Sequence, residues 1–442
     1  MPLLNRSSAG RIAVLSLVLL LGGRAAAAQE TCATAQCHAS LIAKKTVHPA
    51  TESCTGCHDS VDASHPQKGK KTFKLSAEPP DLCFTCHEAF GTKSHVHPPA
   101  KEGQCTMCHD PHASDQPKLL TAPMGELCTG CHSDKTGLAV MHGPVSTGEC
   151  TSCHTPHESD NAALVLKTGE QLCLGCHTDF KELLAKPNVH GALEGGCTSC
   201  HNPHGSANAR LLLSPGTQLC AGCHSEIGDL VEKAAVVHPP VKSEKGCPTC
   251  HSPHASDHPK LLLEAEKDTC LGCHKTIITK AMTTLHGPIA EGRCTACHAP
   301  HGGANAKLLV RAFPVAPYVP YTDSEFPLCF GCHKREMLQN ETSTATGFRD
   351  GSRNLHYLHV NNAQKGRSCA LCHNLHGSTN TKLLADTVRF GTWSLPVRFT
   401  KTETGGGCAP GCHRPQTYDR QNPGKAVKAP SPPPTKRRKP KS

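Results

Sequence analysis

Apolar residues along this chain come singly or in pairs, with one exception. The run Ile12 to Leu21 follows Arg6 and Arg11 and precedes Gly-Gly-Arg and four alanines. That order reads as a secretory signal peptide over residues 1–28, cut after Ala28. Ten apolar residues are too few for a lasting membrane span. No twin arginine precedes them, so export of an unfolded chain by the general secretory route is expected. No later segment is long and apolar enough to span, which puts the mature chain in the periplasm, the outer envelope or the extracellular space. Elsewhere helical periodicity is brief. Residues 168–185 open with a capping-box pattern at Thr168 and Gln171. Residues 218–236 place Ile227, Leu230, Val231 and Ala234 at helical spacing, and 269–285 do likewise. Proline after His-Pro-Pro or His-Gly-Pro should stop such helices and leave a histidine at their exits. The pattern predicts short helices and long loops with little or no sheet.

All 30 cysteines fall in fifteen pairs, each followed at once by histidine. Thirteen are C-x-x-C-H, beginning with Cys54/Cys57/His58, Cys83/Cys86/His87, Cys105/Cys108/His109 and Cys128/Cys131/His132. They continue as Cys150/Cys153/His154, Cys173/Cys176/His177, Cys197/Cys200/His201, Cys220/Cys223/His224 and Cys247/Cys250/His251. The last are Cys270/Cys273/His274, Cys294/Cys297/His298, Cys329/Cys332/His333 and Cys369/Cys372/His373. This is the attachment pattern of c-type haem. Two thiols a fixed distance apart add to the porphyrin vinyl groups as thioethers, and the adjoining imidazole ligates iron. A zinc ribbon or a disulfide framework has no reason to place histidine after every pair. Two motifs have longer spacers, Cys32/Cys37/His38 and Cys408/Cys412/His413. Each is read as a haem site, with a disulfide or unmodified pair as the alternative. Haem c therefore numbers at least thirteen, and fifteen if both hold.

Seventeen of the 32 histidines lie outside the motifs. A six-coordinate haem needs one more axial ligand, and the spares recur at fixed places. His112, His157, His204, His254, His301 and His376 stand three residues after a proximal histidine. His48, His97, His142, His190, His238, His286 and His359 precede a cysteine pair. Three residues span at most ~10 Å, too little to wrap around a macrocycle to the same iron. The after-motif histidines should therefore ligate a neighbouring haem. His65 stands seven residues after His58, and it and His95 complete the candidate distal set. His258 and His356 read as surplus, and His95 is the weakest of the candidates.

Ordered together, these elements form seven repeats, each a doubled motif, with first cysteines at 54, 105, 150, 197, 247, 294 and 369. Residues 29–50 form a single-haem segment, 51–420 the seven repeats with fourteen haems, and 421–442 a tail. Repeats of this size predict a linear array in which each unit meets its neighbours.

The pairs Cys150/Cys153/His154 with Pro156-His157 and Cys173/Cys176/His177 resemble the doubled units of multihaem cytochromes c. His142-Gly-Pro and Cys197/Cys200/His201-Asn-Pro-His204 are similar to runs in periplasmic decahaem cytochromes that sit in an outer-membrane porin. The haem number departs from ten. That resemblance implies electron transfer along bis-histidine haems, with other redox proteins, a porin and an outer-surface cytochrome as partners. Catalytic residues are expected to be none; a haem with an open axial position acting on a small molecule, or an extracellular filament, are the alternatives.

Composition gives the packing logic. Residues 29–420 supply about 26 residues per haem, aromatics are 3%, and glycine and proline number 38 and 35. Chains under ~40 residues rarely build a core unaided. Porphyrin must template the fold. The formal charge of +10 resides in the signal segment and the tail, which carries Lys436-Arg-Arg-Lys439. The tail reads as disordered, with peripheral contact to an anionic membrane surface as its functional alternative. Nucleic-acid binding is excluded for an exported cytochrome. The aromatics Tyr318, Tyr321 and Trp393, in insertions at 310–328 and 386–407, read as packing or loop residues.

Overall fold

A tight turn at each attachment motif sets the grain of the fold. In the computed structural model, which describes residues 32–33 and 37–424, each proximal histidine N–H donates to the first cysteine's carbonyl. Examples are His109 to Cys105 at 3.0 Å and His132 to Cys128 at 2.9 Å. One helical turn thus gathers two thiols and an imidazole. In the first motif of a repeat that turn stands alone, as at Cys105–Met107 and Cys247–Thr249. In the second it ends a short α-helix, as at Met124–Thr129, Gly216–Ala221 and Glu266–Leu271.

The periodic segments are therefore cut at their motifs. Residues 168–185 give Glu170–Cys173 and Asp179–Leu184, and 218–236 give Gly216–Ala221 and Ser225–Lys233. Only Glu266–Leu271 forms in the third. The reason is local: His224 leaves helical geometry at φ −95° and ψ 56°, turning its ring away from the helix axis. The expected capping box does not form either, because Gly169 occupies the cap at φ 57° without a side-chain bond.

The histidines that precede a motif do not sit at helix exits. Each ends a two-residue strand and caps the start of the next short helix. His97 precedes Pro98–Lys101, and His286 precedes Gly287–Ala290 with Pro288 in the first turn. Proline fits there because its missing N–H has no helical partner. The strands pair antiparallel with the residues after the Pro-His of the following repeat. Thr46–Val47 meets Ala113–Ser114, Asn188–Val189 meets Ala255–Ser256, and Thr284–Leu285 meets Gly377–Ser378. Each junction is closed by a histidine-to-histidine backbone bond, His48 to His112 at 2.8 Å and His190 to His254 at 2.8 Å. These small ladders are the sheet content of most of the chain.

A loop of constant length carries both kinds of ligand. After His109 it passes His112, then a left-handed pair at Lys118 and Leu119, and returns so that Leu120 bridges His109. The same left-handed pairs recur at Ala163 and Leu164, Arg210 and Leu211, Lys260 and Leu261, Lys307 and Leu308, and Lys382 and Leu383. A buried serine latches each loop: Ser159 donates to Val165 at 2.8 Å and Ser206 to Leu212 at 2.5 Å. Ser114, Ser256 and Ser378 donate to Leu120, Leu262 and Leu384 in the same way. Gly303 lacks that hydroxyl, and Asn305 bonds the Leu309 carbonyl instead, at 2.8 Å.

Protein-only cores are confined to the end of the described chain. Before Val319 the buried apolar residues are Ala113, Val231 and Ala255. Val319, Phe326, Leu338 and Val360 form one cluster, and Leu371, Ala385, Val388 and Val397 another. Tyr321 packs on the first, while Trp393 is 69% exposed on a hairpin of Thr387–Phe390 and Trp393–Pro396. A three-stranded sheet of Phe399–Lys401, Gly405–Cys408 and Gln416–Asp419 follows, more sheet than the pattern predicts.

The chain divides into two compact units, Met1–His132 with Gly148–Leu166, and Ser133–Thr147 with Lys167–Ser442. The signal segment and most of the basic tail lie outside the described residues. Among those residues no helix is long and apolar enough to cross a membrane.

Candidate haem-binding sites

Proximal imidazoles come first, because the fold fixes which of their nitrogens is free. His109 Nδ1 donates to the Lys118 carbonyl at 2.9 Å, and His154 donates to Ala163 at 2.9 Å. His201, His251, His298 and His373 bond Arg210, Lys260, Lys307 and Lys382 at 2.8 to 3.0 Å. A carbonyl only accepts, so Nδ1 carries the proton and Nε2 is left to ligate. Such outer-shell bonds hold a ligating ring's orientation. The carbonyl belongs in every case to the first residue of a left-handed pair. Two consecutive non-glycine residues in that region are strained. The strain recurs in six repeats, and the proximal ring's bond is what it positions.

Across from each proximal ring stands a second imidazole. In the first unit His38 faces His65 with ring centres 6.0 Å apart, and His48 faces His87 at 6.0 Å. His58 faces His112 at 6.2 Å, His97 faces His132 at 6.2 Å, and His109 faces His157 at 6.0 Å. In the second unit the pairs are His142 with His177, His190 with His224, His201 with His254 and His238 with His274, at 6.1 to 6.2 Å. His251 with His301, His286 with His333 and His298 with His376 follow at 6.0 to 6.2 Å. His359 faces His413 at 6.5 Å, the widest of these pairs. The third repeat carries His154 and His204 at the same register.

That near-constant separation tests the cofactor. Two metal–nitrogen bonds of ~2 Å, plus about 1 Å from each nitrogen to its ring centre, give roughly 6 Å. Direct ring packing has no reason to hold one value over so many pairs. Among the described residues no group of three or more His, Cys, Asp or Glu side chains converges as a metal cage. Two imidazoles with two thiols beside one of them is instead the set that haem c requires, the porphyrin supplying the remaining four nitrogens. The residues fit.

The pairing follows a rule. The second haem of a repeat takes the histidine that precedes its own repeat, and the first takes the Pro-His of the next. His48 thus serves the motif of His87, while His112 serves that of His58. The after-motif histidines do reach a neighbouring haem, as the three-residue argument requires. Both chain ends break the rule in an orderly way. His38 takes His65, so residues 29–50 pack into the first repeat. The last repeat has no successor, and His356 lies against His373 instead.

Here the sequence reading needs correction. His356 is not surplus: burial first, then His373 and His359, lower it to about 4, and its Nδ1 bonds Thr346 Oγ1 at 3.1 Å. His95 loses its place as a distal candidate. It lies exposed at the start of a strand paired with Ser159, and His97, two residues on, faces His132. Strand alternation sends ring 97 toward the motif and leaves ring 95 to the strand pairing. His356 had a legible signal, an Asn354 cap that accepts from His356 and Tyr357 and starts a helix carrying both His356 and His359.

Among the described residues no cysteine forms a disulfide, Cys32, Cys37, Cys408 and Cys412 included, so none competes for the two irregular motifs. Thiols of successive motifs crowd one another. Burial, then Cys150, raises Cys128 to about 11; burial, then Cys247, raises Cys220 to about 11. Cys270 rises to about 12 through burial and Cys294. Cys83 lies between Cys105 and Cys57 and is raised chiefly by burial. Attachment points adjacent in sequence are thus adjacent in space. Burial also lowers His157, His254, His301 and His376, favouring the neutral imidazole that ligates.

The sequence treats all second cysteines of the pairs as equivalent thioether sites, and the structure separates them into two sets. Cys86, Cys131, Cys176, Cys223, Cys273 and Cys332, each in the second motif of its repeat, are exposed. Cys153 and Cys200, in first motifs, are half-buried. The ligand loop makes the difference. It returns over the first motif, where Leu166 donates to the Cys153 carbonyl and Leu213 to that of Cys200, both at 2.9 Å. The second motif ends a helix and has no such loop above it. Its turn is nonetheless closed, with Cys86, Cys131, Cys176 and Cys223 donating to Cys83, Cys128, Cys173 and Cys220 at 3.2 Å. Cys273 and Cys332 donate to Cys270 and Cys329 at 3.3 and 3.1 Å. The spacing of the two thiols is therefore the same in both sets, and covering the exposed six is left to the porphyrin.

The doubled motifs, their short helices and loops, and the facing imidazoles define a multihaem c-type cytochrome. The family model for the doubled CXXCH motif matches residues 48–92, 97–137, 142–182, 190–229, 238–278 and 286–338, and the chain belongs to that family. Six matched repeats imply about twelve haems. The seventh doubled motif, with its longer spacer before Cys412, falls outside the match. No curated protein matches the chain.

Proposed function

We propose that this protein holds fifteen haems, each between two imidazoles, and carries electrons along them through the cell envelope as a conduit or shuttle. The supporting observation is the shared ligand loop. His109 and His112 are three residues apart yet face imidazoles of two different motifs, His157 and His58. Two irons served from one loop lie close enough for electrons to pass. The distal ligands in this reading are His65, His48, His112, His97, His157, His142, His204, His190, His254, His238, His301, His286, His376, His356 and His359. Export by the signal segment, partnership with other redox proteins and insertion in a porin belong to the same proposal. They rest on residues 1–28 and on the likeness to porin-seated decahaem cytochromes.

An enzymatic reading has one observation in its favour. The pair His359 and His413 is the widest and is tilted by 35°, at the motif with the longer spacer. A haem with a weak axial ligand would be found there. Electron paramagnetic resonance on the oxidised protein, with haems counted by intact mass, separates the two. Low-spin signals alone with fifteen haems support the carrier. A high-spin ferric signal equal to one haem would direct the search to a small-molecule substrate at His413.

A further inference from the structure

Three lysines occupy a point that touches both axial ligands of one haem. The Lys118 carbonyl receives the His109 proton at 2.9 Å, and its ammonium acts on His157, the ring facing His109. Lys260 stands likewise between His251, at 2.8 Å, and His301. Lys307 stands between His298, at 3.0 Å, and His376. All three lie on the first haem of a repeat. The distal rings of second haems, His48, His238 and His286, are acted on by burial and other imidazoles, with no lysine among those groups.

Backbone geometry does not explain the choice of lysine. These residues have φ of 57 to 58°, where glycine costs least. Yet the six equivalent positions hold Lys118, Ala163, Arg210, Lys260, Lys307 and Lys382. What five of the six share is a positive charge. A fixed charge near an iron favours its ferrous form, because reduction adds one electron, here taken from the neighbouring haem as that haem is oxidised.

We infer that Lys118, Lys260 and Lys307 are positioning residues that raise the reduction potential of the first haem in their repeats, so that potentials alternate along the chain. The inference rests on the bis-histidine carrier reading. All three side chains are exposed, so the effect is that of a solvated charge.

The test is a spectroelectrochemical titration of the full, haem-loaded protein at low salt, with haem content and spin state measured on the same samples. The triple variant Lys118→Glu, Lys260→Glu and Lys307→Glu reverses three charges. Each of the three haems should become harder to reduce by about tenfold, 59 mV for one electron. The triple Lys→Arg variant should overlay the parent. Lys68→Glu, Lys280→Glu and Lys401→Glu, exposed lysines away from the loops, should move the curve less, and 1 M salt should shrink the difference. A loaded, low-spin Glu triple that titrates like this control would overturn the inference. If the Glu triple does not load haem, Ala163→Lys supplies the charge its repeat lacks: an upward shift supports the inference and an unchanged curve overturns it. A high-spin or haem-poor parent protein would instead sink the carrier reading beneath it.

Discussion

At the residue scale, what distinguishes a ligand from a bystander is the strand or cap that aims it. His95 and His97 are two residues apart, yet only His97 faces a proximal ring. His356 and His359 share one helix and go to different motifs, His373 and His413. Replacing His356 by alanine should therefore leave the iron at His373 with one strong ligand and produce a high-spin signal equal to one haem. His95→Ala should leave the spectrum low-spin. If the two variants behaved alike, the assignment of His356 would fail. The parent chain should also depend on pH through this ring. His356 is held near 4, below its unfolded value, so the unfolded state binds more protons as pH falls. Stability should be full above about 6.5 and be lost progressively down to about 4, read by denaturant midpoints at pH 7 and pH 5. Iron ligation requires the same neutral ring and so acts in the same direction.

At the scale of elements, the repeat is a set of minimal devices: one turn per motif, two residues per strand, one left-handed pair and one serine per loop. A net hydrogen bond contributes about 1 kcal/mol, so a two-residue ladder cannot stand alone. The ladders work by placing histidines, and the iron bonds then lock what the ladders place. The C-terminal sheet differs because its strands pack closely by themselves. A methyl group on Gly405 would overlap the Tyr418 carbonyl oxygen on the adjacent strand, and one on Gly406 would lie 2.8 Å from the Thr400 carbonyl oxygen. Gly405→Ala should cost about 1–3 kcal/mol through this overpacking. Because the same strand ends at Cys408, the variant should also lose haem from the last motif, seen as a mass deficit of one haem. Full loading with unchanged thermal stability would show that the sheet does not hold that site.

For the molecule as a whole, the distribution of buried residues says where stability comes from. With Ala113, Val231 and Ala255 as the buried apolar side chains ahead of Val319, the polypeptide of the first repeats has almost no core of its own. Replacing the motif cysteines by alanine should leave that region largely unfolded, by the coupling of ligand binding to folding seen in metal-dependent domains. Native-like circular dichroism in the haem-free chain would contradict this. The cofactor, the doubled units, the number of imidazoles and the stitching of neighbouring haems were all legible in the sequence. They follow from spacing, and three residues between His109 and His112 bound a distance whatever the fold does. Other features depend on direction rather than spacing. Which spare imidazole faces which motif is decided by two-residue strands and caps too short to leave a periodic signal, so His95 and His356 exchanged roles. The exposure of Cys131 beside the half-buried Cys153 is of the same kind, since identical motifs differ only in whether a loop folds back over them. The left-handed pairs had no signal at all, because their residues are lysine, arginine, alanine and leucine rather than glycine. Only tertiary contact, the bond from each proximal ring to the carbonyl nine residues on, holds them there.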